Sequence, residues 1–127
     1  MTNEEKQLLL KDLCGRLLYG VKIQIYDDYS GMMKDEKLNV FHLDGTYNIE
    51  YRKLCPYLRP MSSMTDEEYN DLCVHCSWVW HNDSEDLTKI RGDYKCYDWL
   101  NSHHFDYRGL IEKGLALEAK EGMYKND

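Results

Sequence analysis

The chain is poor in cations, prolines and phenylalanines, and it has no long apolar run. Each shortage closes something off. Sixteen Lys and Arg face 23 Asp and Glu across 127 residues, a formal net charge of −7. Backbone phosphates and anionic lipid surfaces are neutralised by Lys and Arg, so duplex DNA and membranes are not expected partners. No apolar stretch approaches the ~20 residues that cross a bilayer. Residues 1–6 are polar and helix-forming, without the apolar segment of a signal peptide. The expected location is cytoplasmic. Neither a P-loop nor a dinucleotide glycine fingerprint occurs, and Ser62-Ser63 lack the surroundings of a nucleophile elbow. With no internal repeat, low-complexity run or linker, we expect a single domain, residues 1–127. That size supports one core without needing metal or disulfide.

What the chain has instead is Tyr: eleven, with three Trp, against two Phe. A ring with a polar tip suits half-buried positions with a satisfied hydroxyl, or a contact surface. Five Cys, an odd number, read as reduced thiols where no export signal is seen.

Thr2 and Glu5 form a capping box, and Leu9, Leu10, Leu13, Cys14 and Leu17 follow at helical spacing. Lys6, Lys11, Asp12 and Arg16 lie off that stripe. A helix over about 3–17 is expected, ended by Gly20. Val21, Ile23 and Ile25 alternate with polar residues as a strand. Lys34–Lys37 reads as a charged excursion, 38–43 as a second strand, Asp44-Gly45 as a hairpin turn and 46–51 as a third strand. Pro56 and Pro60 mark an ordered connector. Thr65 and Glu68 form a second capping box, opening a helix over about 66–80. Asp93 is placed to cap a short helix through Tyr97, Leu100 and His104. Short helical turns follow, and the chain frays from Gly122. The fold class expected is α+β: an N-terminal helix on a small three-stranded antiparallel sheet, with a C-terminal helical portion beside it.

The chemistry-bearing groups concentrate in 97–111. His103, His104 and Asp106 are material for a general base with an orienting carboxylate. Adjacent helical residues diverge by about 100°, so both imidazoles rarely serve one centre. The structural alternative, which we favour, has one His and Asp106 satisfying backbone groups at a helix end. Arg59, between two prolines, and Arg108, beside Tyr107, are candidates for anion contact, against internal salt bridges. The candidate ligand-binding set is therefore Arg59, His103, His104, Asp106, Tyr107 and Arg108; no catalytic residue is assigned.

Cys73 and Cys76 are the one pair at metal-ligand spacing. Cys96, His81, His103 or His104 would have to complete a tetrahedral set. No second pair at such spacing exists, and both thiols fall on the apolar stripe of the expected helix, where Cys serves as a small hydrophobe. No cofactor is expected, zinc at Cys73, Cys76 and Cys96 being the minor alternative. The Tyr and Trp set resembles a base-stacking platform but lacks the basic frame such platforms use, so core positions are favoured.

Leu10–Leu17 with Tyr19–Lys22, then Pro56–Thr65, then Trp99–Ile111 continuing to Ala119, resemble in that order an uncharacterised family of small proteins from phages, prophages and chromosomes of gut-dwelling anaerobic bacteria. Family members often carry Pro where Leu18 and Lys120 stand, which puts the local bends in doubt. Cys73 and Cys76 lie outside the matching phrases. The resemblance implies a phage or mobile-element context and no reaction.

The leading expectation is a non-enzymatic interaction or accessory protein acting on a host or phage protein. The alternative is a small-ligand or anion-binding protein, hydrolytic in one version, using the His103-His104/Arg108 region. Convergence of Arg59, His103, His104, Asp106 and Arg108 on an open cleft favours the second. Internal pairing of those groups favours the first.

Overall fold

The computed structural model describes residues 1–75 and 94–124. It is a mixed α+β fold with an open sheet. Helix α1, Asn3–Arg16, begins at the expected capping box: the Thr2 hydroxyl accepts the Glu5 amide at 3.0 Å, and the Glu5 carboxylate accepts the Thr2 amide at 2.9 Å. A 3₁₀ turn, Leu17–Tyr19, follows and ends at Gly20 with φ +72. That left-handed conformation suits glycine, and a Cβ there would meet Lys37 Cε at 3.2 Å.

Strands β1, Lys22–Asp27, and β2, Met32–Lys37, form an antiparallel hairpin with Lys22 opposite Lys37 and Asp27 opposite Met32. Val21, Ile23 and Ile25 are buried, as their alternation predicts. The charged excursion at Lys34–Lys37 is instead part of β2. This strand lies at the sheet edge, where charged residues are tolerated and discourage further pairing.

The expected second and third strands are replaced by helical turns. Val40–Leu43 is a 3₁₀ helix and Tyr47–Tyr51 is helix α2. Tyr47, Ile49 and Tyr51 fit a period of two, but Tyr47 and Tyr51 are also i,i+4 neighbours, and their rings lie 5.3 Å apart. Ile49 is buried between them in sequence and both Tyr are exposed.

The segment expected as a proline-bracketed connector is strand β3, Cys55–Pro60, at the centre of the sheet. It pairs antiparallel with β1 and parallel with two short strands, β4, Phe105–Asp106, and β5, Leu117–Glu118. Each ladder on β3 is two residue pairs long, so a missing proline N–H interrupts little. The sheet is thus five-stranded and mixed rather than a three-stranded meander.

Helix α3, Asp66–His75, starts at the second capping box, and helix α4, Tyr94–Ser102, leads into β4. The remainder of the expected 66–80 helix and the Asp93 cap lie outside the described residues.

α1 covers the sheet through Leu9 and Leu13, which pack with Val21, Ile23, Ile25, Leu38, Leu54 and Leu58. Each such side chain contributes roughly 1.5–3 kcal/mol on burial. A second apolar cluster joins α3 to α4 and β4 through Leu72, Cys73, Cys96, Trp99, Leu100 and Phe105. The tail is not frayed as far as Tyr124. The Tyr124 hydroxyl donates to the Tyr57 carbonyl at 2.7 Å and accepts the Lys22 amide at 2.8 Å.

Candidate functional site

The 97–111 stretch begins in α4, whose last turn reverses at His103-His104. The His104 backbone takes φ +65, a conformation that is uncommon for a residue with a Cβ. It lets the His104 amide bond the Asn101 carbonyl at 3.1 Å and turns the chain into β4. The His104 carbonyl then accepts the Arg59 amide at 2.7 Å, so the reversal is registered on β3.

This placement opens a cleft of about 610 Å³ whose walls include Arg59, Ser63, Glu68, His103, His104 and Tyr124. Arg59 holds Glu68 through two hydrogen bonds, at 2.6 and 2.8 Å, with its guanidinium 4.1 Å above the Phe105 ring. Glu68 also accepts the Thr65 amide at 3.0 Å, so one carboxylate caps α3 and neutralises Arg59. Chiefly because of the Arg59 hydrogen bond, and against the opposing effect of desolvation, its carboxyl is held down at about 2.

His103 stacks on the Trp99 indole, centroids 4.0 Å apart, and its Nδ1 lies 2.9 Å from the Trp99 carbonyl. A carbonyl oxygen only accepts, so Nδ1 carries a hydrogen, and the neutral ring has its lone pair on Nε2. The Trp99 indole N–H donates to Asp71 at 2.7 Å, tying α4 to α3. His104 is buried, with its ring 3.7 Å from that of Tyr124.

The other three candidates face elsewhere. The Asp106 carboxylate accepts the Leu110 and Ile111 amides at 2.8 and 2.9 Å and caps the turn that follows β4. Arg108 donates to Asp12 at 3.0 Å, and its guanidinium lies 5.1 Å from the Tyr107 ring centroid. Asp12 also takes two hydrogen bonds from Arg16, at 2.7 and 3.1 Å, and Arg16 reaches the Phe105 carbonyl at 2.7 Å. Both Asp12 and Arg16 are 0% exposed, although they stand off the stripe that periodicity assigns to the core.

The structure therefore brings Arg59, His103 and His104 to one cleft and removes Asp106, Tyr107 and Arg108 from it. The sequence pattern sets Asp12 and Arg16 off the apolar stripe and reads Glu68 only as a cap. The i,i+4 spacing of Asp12 and Arg16 was the available signal; that Arg108 would complete the cluster was not readable.

Cys96 is disulfide-bonded, which departs from the expectation of reduced thiols and withdraws its thiolate from any ligand set while the bond stands. Cys73 is a buried free thiol in the second apolar cluster. Cys76 and His81 lie outside the described residues. Among the described residues, no group of three or more His, Cys, Asp or Glu is placed to hold a metal ion, and no helix is long and apolar enough to cross a membrane.

Comparison of the chain with protein-family models, with curated proteins and with solved structures gave no match in any of the three.

Proposed function

We propose that this chain is a non-enzymatic interaction protein of a phage or mobile element, acting on a protein of the phage or its host. One observation carries this reading: the groups with chemistry are tied to one another, while large apolar side chains stand free at the surface. Arg59 is held by Glu68, Asp106 by backbone amides, Arg108 by Asp12 and His103 by the Trp99 carbonyl. Meanwhile Leu18, Tyr29, Met32, Phe41, Tyr47 and Tyr51 are exposed. Of these, Tyr47 and Tyr51 are contiguous, with ring centroids 5.3 Å apart, and contiguous exposed apolar groups mark contact sites.

The test is capture of partners from phage-infected and uninfected extracts of a gut anaerobic bacterium, with native mass spectrometry of the purified chain. The reading expects a protein captured at fixed stoichiometry, equally by the parent and by His103→Ala. It fails if the chain instead carries a small molecule that His103→Ala releases.

A second reading has one observation in its favour. His103 presents an accepting Nε2, oriented through its Nδ1–H, on the wall of a cleft that also holds Arg59. That arrangement suits binding of a small anion or proton abstraction. The same mass spectrum decides between the two.

A further inference from the structure

A second hollow, of about 500 Å³, opens between the end of α2, the start of β3 and the turn that precedes β5. It shares no wall residue with the cleft at His103. Its volume falls within the roughly 300–1,000 Å³ of small-molecule sites. Ile49, Leu54 and Leu115 form the apolar part of its wall, and all three belong to the main core. Cys55 adds a half-buried thiol that donates to the Leu115 carbonyl at 3.2 Å. Burial pushes that thiol up to about 11, so it brings no charge to the wall at neutral pH.

The charged side chains of the wall are Lys6, Glu50 and Lys53. Lys6 and Glu50 neutralise each other at 2.5 Å. Among the described residues no carboxylate pairs with Lys53. The hollow therefore combines a core-built apolar wall with one uncompensated side-chain cation.

The backbone at that cation is unusual. The Leu54 amide donates to the Asn48 carbonyl, six residues back, at 3.1 Å, and Lys53 takes φ +52. This is the reversal that commonly ends a helix, and glycine ordinarily fills the position. A side chain there is strained. Among the described residues two other than glycine have positive φ, His104 and Lys53, and each lines one of the two hollows. Strained residues of this kind gather at binding sites.

We infer that this hollow binds a small monocarboxylate with an apolar tail, its carboxylate on the Lys53 ammonium and its tail against Ile49, Leu54 and Leu115. The single uncompensated positive charge selects an anion over a cation. The chain's charge of −7 repels anions in general, so the tail supplies much of the affinity, and a bare carboxylate gains too little to stay. The site is independent of the interaction reading above, and neither stands or falls with the other.

The test is an NMR titration of the whole chain with three probes: sodium octanoate, octylammonium chloride and sodium acetate. Octanoate should shift the Leu54, Cys55 and Leu115 amides and saturate near about 1 mM; the other two should leave them in place. Lys53→Gly removes the ammonium and relieves the backbone, so it should melt no lower than the parent while binding octanoate about tenfold more weakly. Lys53→Arg, which keeps the charge, should bind as the parent does. Equal binding of octanoate and octylammonium overturns the inference, because the hollow then reads only the tail. Full binding by Lys53→Gly overturns it too, as do shifts confined to the His103 cleft. If no probe saturates, the inference falls and the hollow is open to a segment of a protein partner.

Discussion

Asp12 is the buried carboxylate on which two guanidinium groups converge. Its carboxylate is shared by Arg16 and by Arg108, from opposite ends of the chain. Removing one member of a buried ion cluster leaves the rest uncompensated, which costs more than the intact cluster contributes. We predict that Asp12→Asn lowers stability by about 3–5 kcal/mol, read by urea denaturation; a loss under 1 kcal/mol would show that the cluster is solvated. Glu68 gives a pH signature. Its folded pKa of about 2 lies below the ordinary 4.5, so its contribution is complete above the ordinary value and disappears as pH falls through the folded one. The pair lies near the rim of the cleft, so solvent screening limits that contribution to about 1–2 kcal/mol. The parent should exceed Glu68→Gln by that margin at pH 7, with the gap closing between pH 4.5 and pH 2; a gap that persists at pH 2 contradicts it.

At the scale of elements, what was legible in the sequence was local. Both capping boxes need only four residues, and both appear as read. The alternation in β1 is also self-contained. Where the reading failed, a partner outside the local pattern decided. Tyr47-Asn48-Ile49-Glu50-Tyr51 fits either period; the Asn48 side-chain Nδ2 donates to the His42 carbonyl and the Asn48 carbonyl accepts the Leu54 amide, so bonds from outside the five residues settled a helix. β3 contains two prolines and is central all the same, because its neighbours each pair with only a short piece of it. In the candidate site, the cleft membership of Arg59, His103 and His104 follows from the parallel β3–β4 pairing, which no local pattern encodes. Tyr124 joins two strands and the turn after α4: its hydroxyl bonds β1 and β3, and its ring meets His104. Tyr124→Phe removes both hydrogen bonds and keeps the ring. We expect a loss of about 1–3 kcal/mol and faster amide exchange at Lys22; unchanged exchange there would contradict the clamp.

The whole molecule divides its labour. One side is knitted by ion pairs and stacked rings that fasten the 94–124 portion to α1 and the sheet. Elsewhere, Phe41, Tyr47 and Tyr51 leave their rings exposed. A chain of this size has marginal stability, so the bonds that Asp12, Arg16 and Arg108 make across the chain matter to the fold. The 40–51 segment also supplies Ile49 to the core, so only its exposed rings can be exchanged without cost to the fold: Phe41→Ser or Tyr51→Ser should leave the melting midpoint unchanged.

The most direct measurement pairs melting with binding in one variant, His103→Asn/His104→Gln. We expect the midpoint to drop by about 4–8 °C, the shift that 1 kcal/mol produces in a domain of roughly 100 residues, while partner capture at 20 °C stays at the parent's level. A variant that melts with the parent but has lost capture, or a measurable turnover, would contradict the account.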